Sequence, residues 1–418
     1  ANRRALFSLY LIIGLLLFTI VGPWIWQVDP SAQDLDQVSQ APGTDRSATI
    51  VDPYRPWDGS SVRPATEGLR LAEDATTQTV RLIWDQIPQA SGYRIYRNIY
   101  PIGAERALGL PLGESFLAGQ VTFEDRLDLK PRNYFYSVIV LDADYLETDI
   151  VQTIEVDVAR VIIAQEARER GLVSPDADVQ PGERITLALH PFGTDYLGRD
   201  MLARLMAGAR VSLFIGIVAP FLFVIFGVVY GSTAGFLGGK IDQILMRFAD
   251  FVVALPFLLF MILFKITFGI GPGESGTLPM LVALVILSWP STARLVRGQI
   301  LQIREEGYIS ASRLLGARTN YLVLRHMIPN TMGVILVTLT FAVPSAIFTE
   351  AFLSFIGMGV APPTPSWGSM CNEGVKTMLT HPHELIFPAV FISLTVLAFN
   401  LLGDGLRDAL DARMRSRE

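Results

Sequence analysis

Six stretches of this chain are apolar for long enough to cross a lipid bilayer, and no other feature constrains its fold as much. They cover residues 5–26, 211–233, 245–268, 278–296, 332–355 and 385–402. A helix needs about 20 apolar residues to span the hydrocarbon of a membrane. Lipid gives an exposed backbone amide nothing to bond, so such stretches fold as helices packed into a bundle. Pro220, Pro256, Pro290, Pro344 and Pro388 fall within them. A bundle tolerates these because neighbouring helices re-satisfy the freed carbonyls. Composition agrees: residues are 50% hydrophobic and only 18% charged, with mean hydropathy +0.39, whereas soluble domains carry about 25% charged residues.

The first stretch begins behind Arg3 and Arg4, as a secretory signal does. Its apolar run exceeds the usual core of about 7–15 residues, and no small-x-small cleavage site follows. Gly22, Pro23, Trp24, Ile25 and Trp26 instead fit a span that ends in an interfacial aromatic belt. We read an uncleaved anchor. Orientation follows from the short loops. Arg3 and Arg4, Lys240 and Arg247, six arginines between Arg294 and Arg325, and Arg407, Arg413, Arg415 and Arg417 all fall on one side. The turn at 269–277 has no Lys or Arg, and the loop after the fifth stretch has only Lys376. Cytoplasmic loops carry the excess of basic residues, so both termini are expected in the cytoplasm and the long segment after the first span outside it.

That segment has soluble character. Residues 29–64 are rich in Pro, Asp and Ser and read as a linker. Alternating runs follow at 79–84, 93–97, 134–140 and 154–158. Period-2 strands separated by Gly, Pro and Asp turns favour an antiparallel sandwich. The placing of Trp84, Tyr93 and Tyr96, then Tyr134, Tyr136 and Val138, resembles a fibronectin type III domain over residues 66–159. No nucleophile–base set or pair of catalytic carboxylates stands out, so no catalytic residue is assigned. A plain spacer and a module that binds a partner protein both fit this region.

Several function classes drop out. The net charge of −6 averages an acidic region between Asp29 and Glu183 with arginines after Arg294, and nothing has the form of a nucleic-acid patch. Cys371 stands alone, which rules out an internal disulfide or a thiolate cluster. His381 and His383 flank a proline at a membrane end, where interfacial histidines are commoner than metal ligands, so no metal site is expected. The run Gly235, Phe236, Leu237, Gly238, Gly239, Lys240, Ile241 misses a P-loop in spacing and in its last residue. The chain therefore carries no ATPase of its own.

Before the second apolar stretch stand Gly193, Thr194, Asp195, Tyr196, Leu197, Gly198, Arg199 and Asp200. Asp200 is placed to cap the following amphipathic stretch, 201–210. This run, with Leu202, Arg204 and residues 208–213 (Gly-Ala-Arg-Val-Ser-Leu), resembles the C-type permeases of the dipeptide/oligopeptide family of ABC importers. Gly238, Gly239 and Asp242, then Met246, Arg247 and Asp250, then Leu255 and Pro256, agree with it. So do Glu350 to Gly357, Pro362 to Gly368, and Asn400 to Asp411. The resemblance spans residues 190–413. Its implied signature residues are Gly193, Thr194, Asp195, Gly198, Arg199 and Asp200. It implies an all-α transmembrane bundle of six helices with the fold of a type I ABC importer permease, here with an inserted all-β sandwich domain.

The loop at 298–330 carries the coupling element that the resemblance implies. Gly316 takes the glycine position of the family's EAA motif, with Pro329 thirteen residues later and Ile328 and His326 ahead of it. The Glu-Ala-Ala slot reads Ser310, Ala311, Ser312, so the motif's acid is missing there; Glu305 and Glu306 lie upstream. A short helix over 305–315 is expected, with acids near its N-terminus and Gly316 as its stop. Tyr308, Ala311, Ser312 and Leu315 would share one face. Such a knob docks into a cleft on another protein or lies on the headgroups; the resemblance implies docking on an ATPase through Glu305, Glu306, Tyr308, Ser310, Ala311, Ser312, Leu315, Gly316 and Pro329.

Charges inside spans are functional candidates. Asp250 is placed to pair with Arg247, Lys265 to snorkel outward, and Glu350 lies toward the outer end of its span. Gly227, Gly231, Gly235 and Gly239 recur every four residues and allow a close helix contact, within this chain or with a second permease. No substrate-lining residue is assigned. The expected map is an anchor at 1–27, a linker at 28–65, the sandwich at 66–159, and a connector with an interfacial helix at 160–210. A permease core follows at 211–406, with five helices and the coupling loop, then a cytoplasmic tail at 407–418. The resemblance implies a permease of the bacterial inner membrane that imports di- or oligopeptides, with nickel chelates or oligosaccharides as alternatives. It further implies a B-type partner permease, two ATPase subunits that hold ATP and Mg, and an extracytoplasmic solute-binding protein. A reading of another class is a membrane-anchored adhesion or sensor protein that uses the sandwich.

Overall fold

The computed structural model describes residues 3–64, 67–101, 108–174, 176–268, 276–360 and 363–415. The turn at 269–275 and Thr66, Pro362 and Arg417 lie outside the described residues. The chain divides into two units: residues 1–44 with 190–418, and residues 45–189.

The first unit is helical: α1 (Arg3–Ile20), α2 (Met201–Leu237), α3 (Gly239–Ala254), α4 (Phe257–Thr267), α5 (Thr277–Arg304), α6 (Gly307–Leu314), α7 (Thr319–Phe355), α8 (Trp367–Thr377) and α9 (His383–Arg415). Five of these, α1, α2, α5, α7 and α9, are long and apolar enough to cross a membrane. The third expected span is not one straight helix. It is the pair α3 and α4, bent by 83°. Pro256 has no N–H to continue a helix and drives the residue before it to extended backbone; Leu255 accordingly sits at φ −68°, ψ 125°.

Two further expectations are corrected. The stretch 201–210 is not a separate interfacial helix, because α2 runs unbroken through it for 37 residues. At 1.5 Å per residue that is about 55 Å, longer than the roughly 30 Å of hydrocarbon. Asp200 starts the helix by accepting the Ala203 N–H at 2.6 Å, and Ala, Leu and Met carry it forward without a break. The loop at 298–330 shrinks to residues 305–318, since α5 continues to Arg304 and α7 begins at Thr319. The first turns of α7 widen to π geometry over Val323–Met327. This is where the ring of Pro329 would otherwise press on a carbonyl one turn back.

The glycine stripe packs within the chain. A Cβ on Gly227 would lie 2.7 Å from Thr292, one on Gly231 2.2 Å from the Ala293 carbonyl, and one on Gly235 2.9 Å from the Arg297 carbonyl. All three neighbours belong to α5. Gly239 does not join them: the helix stops at Gly238, and open space surrounds Gly239. We predict that Gly231→Ala destabilises the unit by about 1–3 kcal/mol through overpacking. Gly298→Ala, a helix position with nothing within 4 Å, should be neutral or slightly stabilising. Thermal inactivation of the two variants in one detergent checks this; equal midpoints contradict the packing account.

The second unit is built of strands. β2 (Arg70–Leu71), β3 (Val80–Ile83) and β6 (Thr122–Asp125) form one antiparallel sheet in the order β2-β3-β6. β4 (Gly92–Asn98), β5 (Gly113–Ser115), β7 (Asn133–Leu141) and β8 (Glu147–Asp157) form another in the order β5-β4-β7-β8. Val80, Leu82, Trp84, Tyr93, Ile95 and Tyr136 fill the core between them, with Trp84 and Tyr93 edge to face at 5.3 Å. Beneath the core's edge, Asp125 accepts the Tyr136 hydroxyl at 2.6 Å and Arg97 at 2.8 Å. Burial, and then the Asp125 carboxylate, raise the Tyr136 phenol above its ordinary range.

The expected linker also changes. β1 (Ser47–Val51) lies within it, antiparallel to β10 (Arg184–Thr186) and parallel to β9 (Val161–Ile163). Ile50 is fully buried there. Five residues flanked by Asp and Pro look like linker by composition, and the partners of this strand lie more than a hundred residues away.

Candidate functional site

The residues between α5 and α7 make a compact projection. Glu305 belongs to the end of α5 and pairs with Arg304 at 3.2 Å, while Glu306 precedes α6 in extended backbone. The expected acidic first turn is therefore absent from α6: the chain breaks at Glu306, and the helix starts at Gly307. Ile309 anchors α6. It is 1% exposed and packs with Phe236 at the end of α2, Ile300 of α5 and Leu322 and Met327 of α7. The Arg313 guanidinium sits 5.2 Å from the Phe236 ring. The Tyr308 hydroxyl accepts Asn330 Nδ2 at 2.7 Å, and Ser312 donates back to the Tyr308 carbonyl.

A Schellman motif ends the helix. The Gly316 N–H donates to the Arg313 carbonyl and the Ala317 N–H to that of Ser312, at 3.0 and 3.1 Å. Gly316 takes φ +85°, which glycine adopts without strain. Leu314 and Leu315 are left at the tip, each 89% exposed. Of the face read from sequence, Tyr308, Ala311 and Leu315 are exposed and Ser312 is half-buried; Ser310 and Pro329 are exposed too. The reading missed Ile309, the anchor, and Leu314, the second tip residue. An apolar residue four positions before Arg313 was the available signal for Ile309.

Behind α6 the adjoining helix ends are tied together. Arg297 pairs with Asp242 through two bonds of 2.5 and 2.6 Å, joining α5 to α3. Arg304 donates to the Gly235 carbonyl at 3.2 Å at the end of α2. Asp250, expected to pair with Arg247, lies 4.0 Å from it and 2.7 Å from Arg294, its stronger partner. Lys265 donates to the Gly357 carbonyl at 2.9 Å. Glu350 is fully buried and accepts the Ser212 and Ser354 hydroxyls at 2.7 Å each.

The signature residues make a second cluster. Asp195 Oδ1 accepts the Leu197 and Arg199 N–H groups at 2.9 Å, which closes the turn. Its Oδ2 meets Arg199 Nε at 2.7 Å and also Arg204 Nη1. Glu373 of α8 accepts both arginines, at 3.1 and 2.7 Å. Burial alone would lower the Arg199 guanidinium, but Asp195 and Glu373 outweigh it and hold it above its usual value. Asp200, besides capping α2, accepts Trp26 Nε1 at 3.1 Å and meets His190 Nδ1 at 2.7 Å.

Glycine is required at two positions by close approach. Cβ atoms on Gly193 and Gly198 would strike the carbonyls of Gln40 and Asp34, because residues 34–40 lie across the turn. The Gln40 N–H donates to Thr194 Oγ1 at 2.9 Å, Thr194 Oγ1 donates to the Gln37 carbonyl, and the Ser39 N–H donates to the Asp195 carbonyl at 2.8 Å. His383 Nε2 bonds the Thr194 carbonyl at 3.0 Å. Sequence reasoning missed Trp26, His190, Glu373 and His383 as partners, and no local pattern marks them.

The chain is similar to several known proteins. A family model described as the binding-protein-dependent transport system inner membrane component matches residues 227–416. One described as the N-terminal TM domain of oligopeptide transport permease C matches residues 1–42. The oligopeptide transport system permease protein OppC of Bacillus subtilis is 48% identical over 226 residues, which cover 54% of this chain and 72% of that protein. The dipeptide transport system permease protein DppC of Bacillus subtilis is 49% identical, with 54% and 69% covered. The glutathione transport system permease protein GsiD of Escherichia coli is 42% identical, with 54% and 73% covered. Among solved structures, an inward-facing MetNI methionine ABC transporter aligns at 17% identity and TM-score 0.40 over 50% of this chain and 97% of that one. On the strength of the sequence relatives, the chain belongs to the family of binding-protein-dependent transport system inner membrane components.

Proposed function

We propose that this chain is the C-type transmembrane subunit of an ATP-driven importer of di- or oligopeptides, and that α6 is the knob a separate ATPase grips. One observation carries the coupling role. Two leucines stand almost wholly exposed at the tip of a helix whose other side is locked by Ile309 and whose end is closed by a Schellman motif. Exposed leucines held rigidly in place fit a surface that a partner covers. Glu305, Glu306, Tyr308, Ser310, Ala311, Ser312, Gly316 and Pro329 surround or support the tip. The chain itself does no covalent chemistry; ATP and Mg belong to the partner ATPases.

The ties behind α6 support a route for the motion. Displacing α6 drags Phe236 and the end of α2 through Ile309 and Arg313, and Arg297 passes the load from α5 to α3. ATP closing the ATPase pair would thus bias the spans toward an outward-open state, through its differential affinity for the two arrangements. A B-type permease would supply the second half of the pathway, and a solute-binding protein would deliver the cargo. The peptide cargo rests on the printed names of the relatives, for oligopeptide, dipeptide and glutathione transport.

The basic-loop count supports cytoplasmic termini in the inner membrane, with the strand-built unit outside. Its strand orders, three and four, and its Trp84–Tyr93–Tyr136 core support a fibronectin type III-like module.

The test is purification of the full complex from native membranes, followed by reconstitution with its binding protein. An ATPase pair and a second permease should accompany the chain, and ATP should drive accumulation of short peptides. Uptake of an oligosaccharide or nickel chelate instead would overturn the cargo. A chain that purifies without any ATPase would overturn the importer.

A further inference from the structure

A cavity of about 700 Å³ opens between α2, α4, α5 and α7. Its size falls within the roughly 300–1,000 Å³ typical of small-molecule sites. Ser288 and Ser345 lie near the middles of the apolar spans 278–296 and 332–355, so the cavity sits at the depth of the hydrocarbon.

Six hydroxyl-bearing residues line it: Ser288, Ser291, Thr292, Thr338, Ser345 and Thr349. Thr338 and Thr349 donate back to the Val334 and Ser345 carbonyls at 2.8 Å. The hydroxyls of Ser288, Ser291 and Ser345 have no hydrogen-bond partner among the described residues. A hydroxyl left unpaired in hydrocarbon is unfavourable by about 1–3 kcal/mol. Three on one wall therefore call for water or a polar occupant rather than lipid tails. Phe223, Phe257 and Phe341, with leucines of α5 and alanines of α7, supply the apolar part of the wall, and none of the lining residues is ionisable.

This chemistry selects an occupant. A hydroxyl both donates and accepts, so it pairs equally with the N–H and the C=O of a peptide bond. A fixed charge in the wall would attract one class of side chain and repel another. We propose that this cavity is a solute-contact wall of the transport path, which takes peptides by their backbone amides and is indifferent to side-chain charge. The assignment rests on the peptide-importer reading above and adds the residues and the selectivity.

The reconstituted complex offers a direct test with trialanine and its forms bearing a central glutamate or lysine. The unaltered complex should import all three at similar rates. Ser345→Asp should slow the glutamate peptide relative to the lysine peptide by about threefold or more, and Ser345→Lys should reverse the order. Equal effects on all three peptides, or none, would overturn the proposal.

A second measurement stands apart from transport. Cys371 is the only native cysteine and is buried. The S345C thiol should react with a water-soluble maleimide in membranes, while the F348C thiol, on the neighbouring exposed face of α7, should react much more slowly in lipid. Equal slow labelling of both would mean a lipid-filled groove and sink the proposal, even if peptide uptake were normal. If instead the unaltered complex imports no peptide while the S345C thiol still labels fast, the cargo reading fails and the polar cavity stands.

Discussion

Replacing Arg204 with alanine is expected to destabilise the helical unit by about 3 kcal/mol. Arg204 is 2% exposed. It bonds both Asp195 and Glu373, and Arg199 is the other cation on both. Two acids and two bases thus cancel in a buried site. Removing one base leaves an uncompensated carboxylate, which typically costs about 3–5 kcal/mol. The lower figure applies because the Glu373 side chain keeps 16% of its exposure and Arg199 remains. The apparent unfolding midpoint should fall by about 10 °C, compared at one scan rate because membrane proteins commonly unfold irreversibly. Arg204→Lys keeps the charge but loses the planar fork and should fall between. A midpoint for Arg204→Ala within about 2 °C of the unaltered chain would refute the cluster as a structural clasp.

The second large effect concerns assembly rather than folding. Changing Leu314 and Leu315 together to aspartate should abolish recovery of the ATPase with this chain. Burying one leucine is worth about 1.5–3 kcal/mol. Losing two weakens docking by about 3–6 kcal/mol, or roughly 10²- to 10⁴-fold in affinity. The unfolding midpoint should hardly move, because both side chains are 89% exposed already. That pairing of results separates a docking surface from a folding defect. Ile309→Ala should behave oppositely, lowering the midpoint by removing a buried anchor. An aspartate double variant that still brings down the ATPase in full would overturn α6 as the docking knob.

These two sites differ in how far the residues alone announce them. Around α6, Gly316 is legible as a helix stop because the requirement is local: one turn must end, and glycine takes the left-handed conformation that ends it. Asp200 is legible as a cap for the same reason. The consequence of Pro256 was less legible, since an 83° bend depends on where α3 and α4 find neighbours. At the signature, Asp195 and Arg199 stand four apart and suggest a pair, but Arg204 is shared with Glu373, 169 residues away. Trp26 reads as an interfacial aromatic by position, yet its ring N–H is spent on Asp200. The leucine tip was half seen: helical spacing picks out Leu315, but the exposure of Leu314 depends on Ile309 turning the opposite side into the core.

The sequence by itself determined which stretches are long and apolar enough to span a membrane, the helix cap at Asp200 and stop at Gly316, and the spacing of motifs that assigns the family. Each of those depends on residues within a turn or a span of one another. Tertiary structure alone decided that the glycine stripe seats against α5, that β1 joins strands from 161–163 and 184–186, and that residues 34–40 lie across the signature turn. It alone gathered hydroxyls from α5 and α7 around one cavity. Those outcomes depend on which distant surfaces are brought into contact, and contact between segments from about fifty to more than a hundred residues apart is set by packing of the whole unit, for which local composition holds no signal.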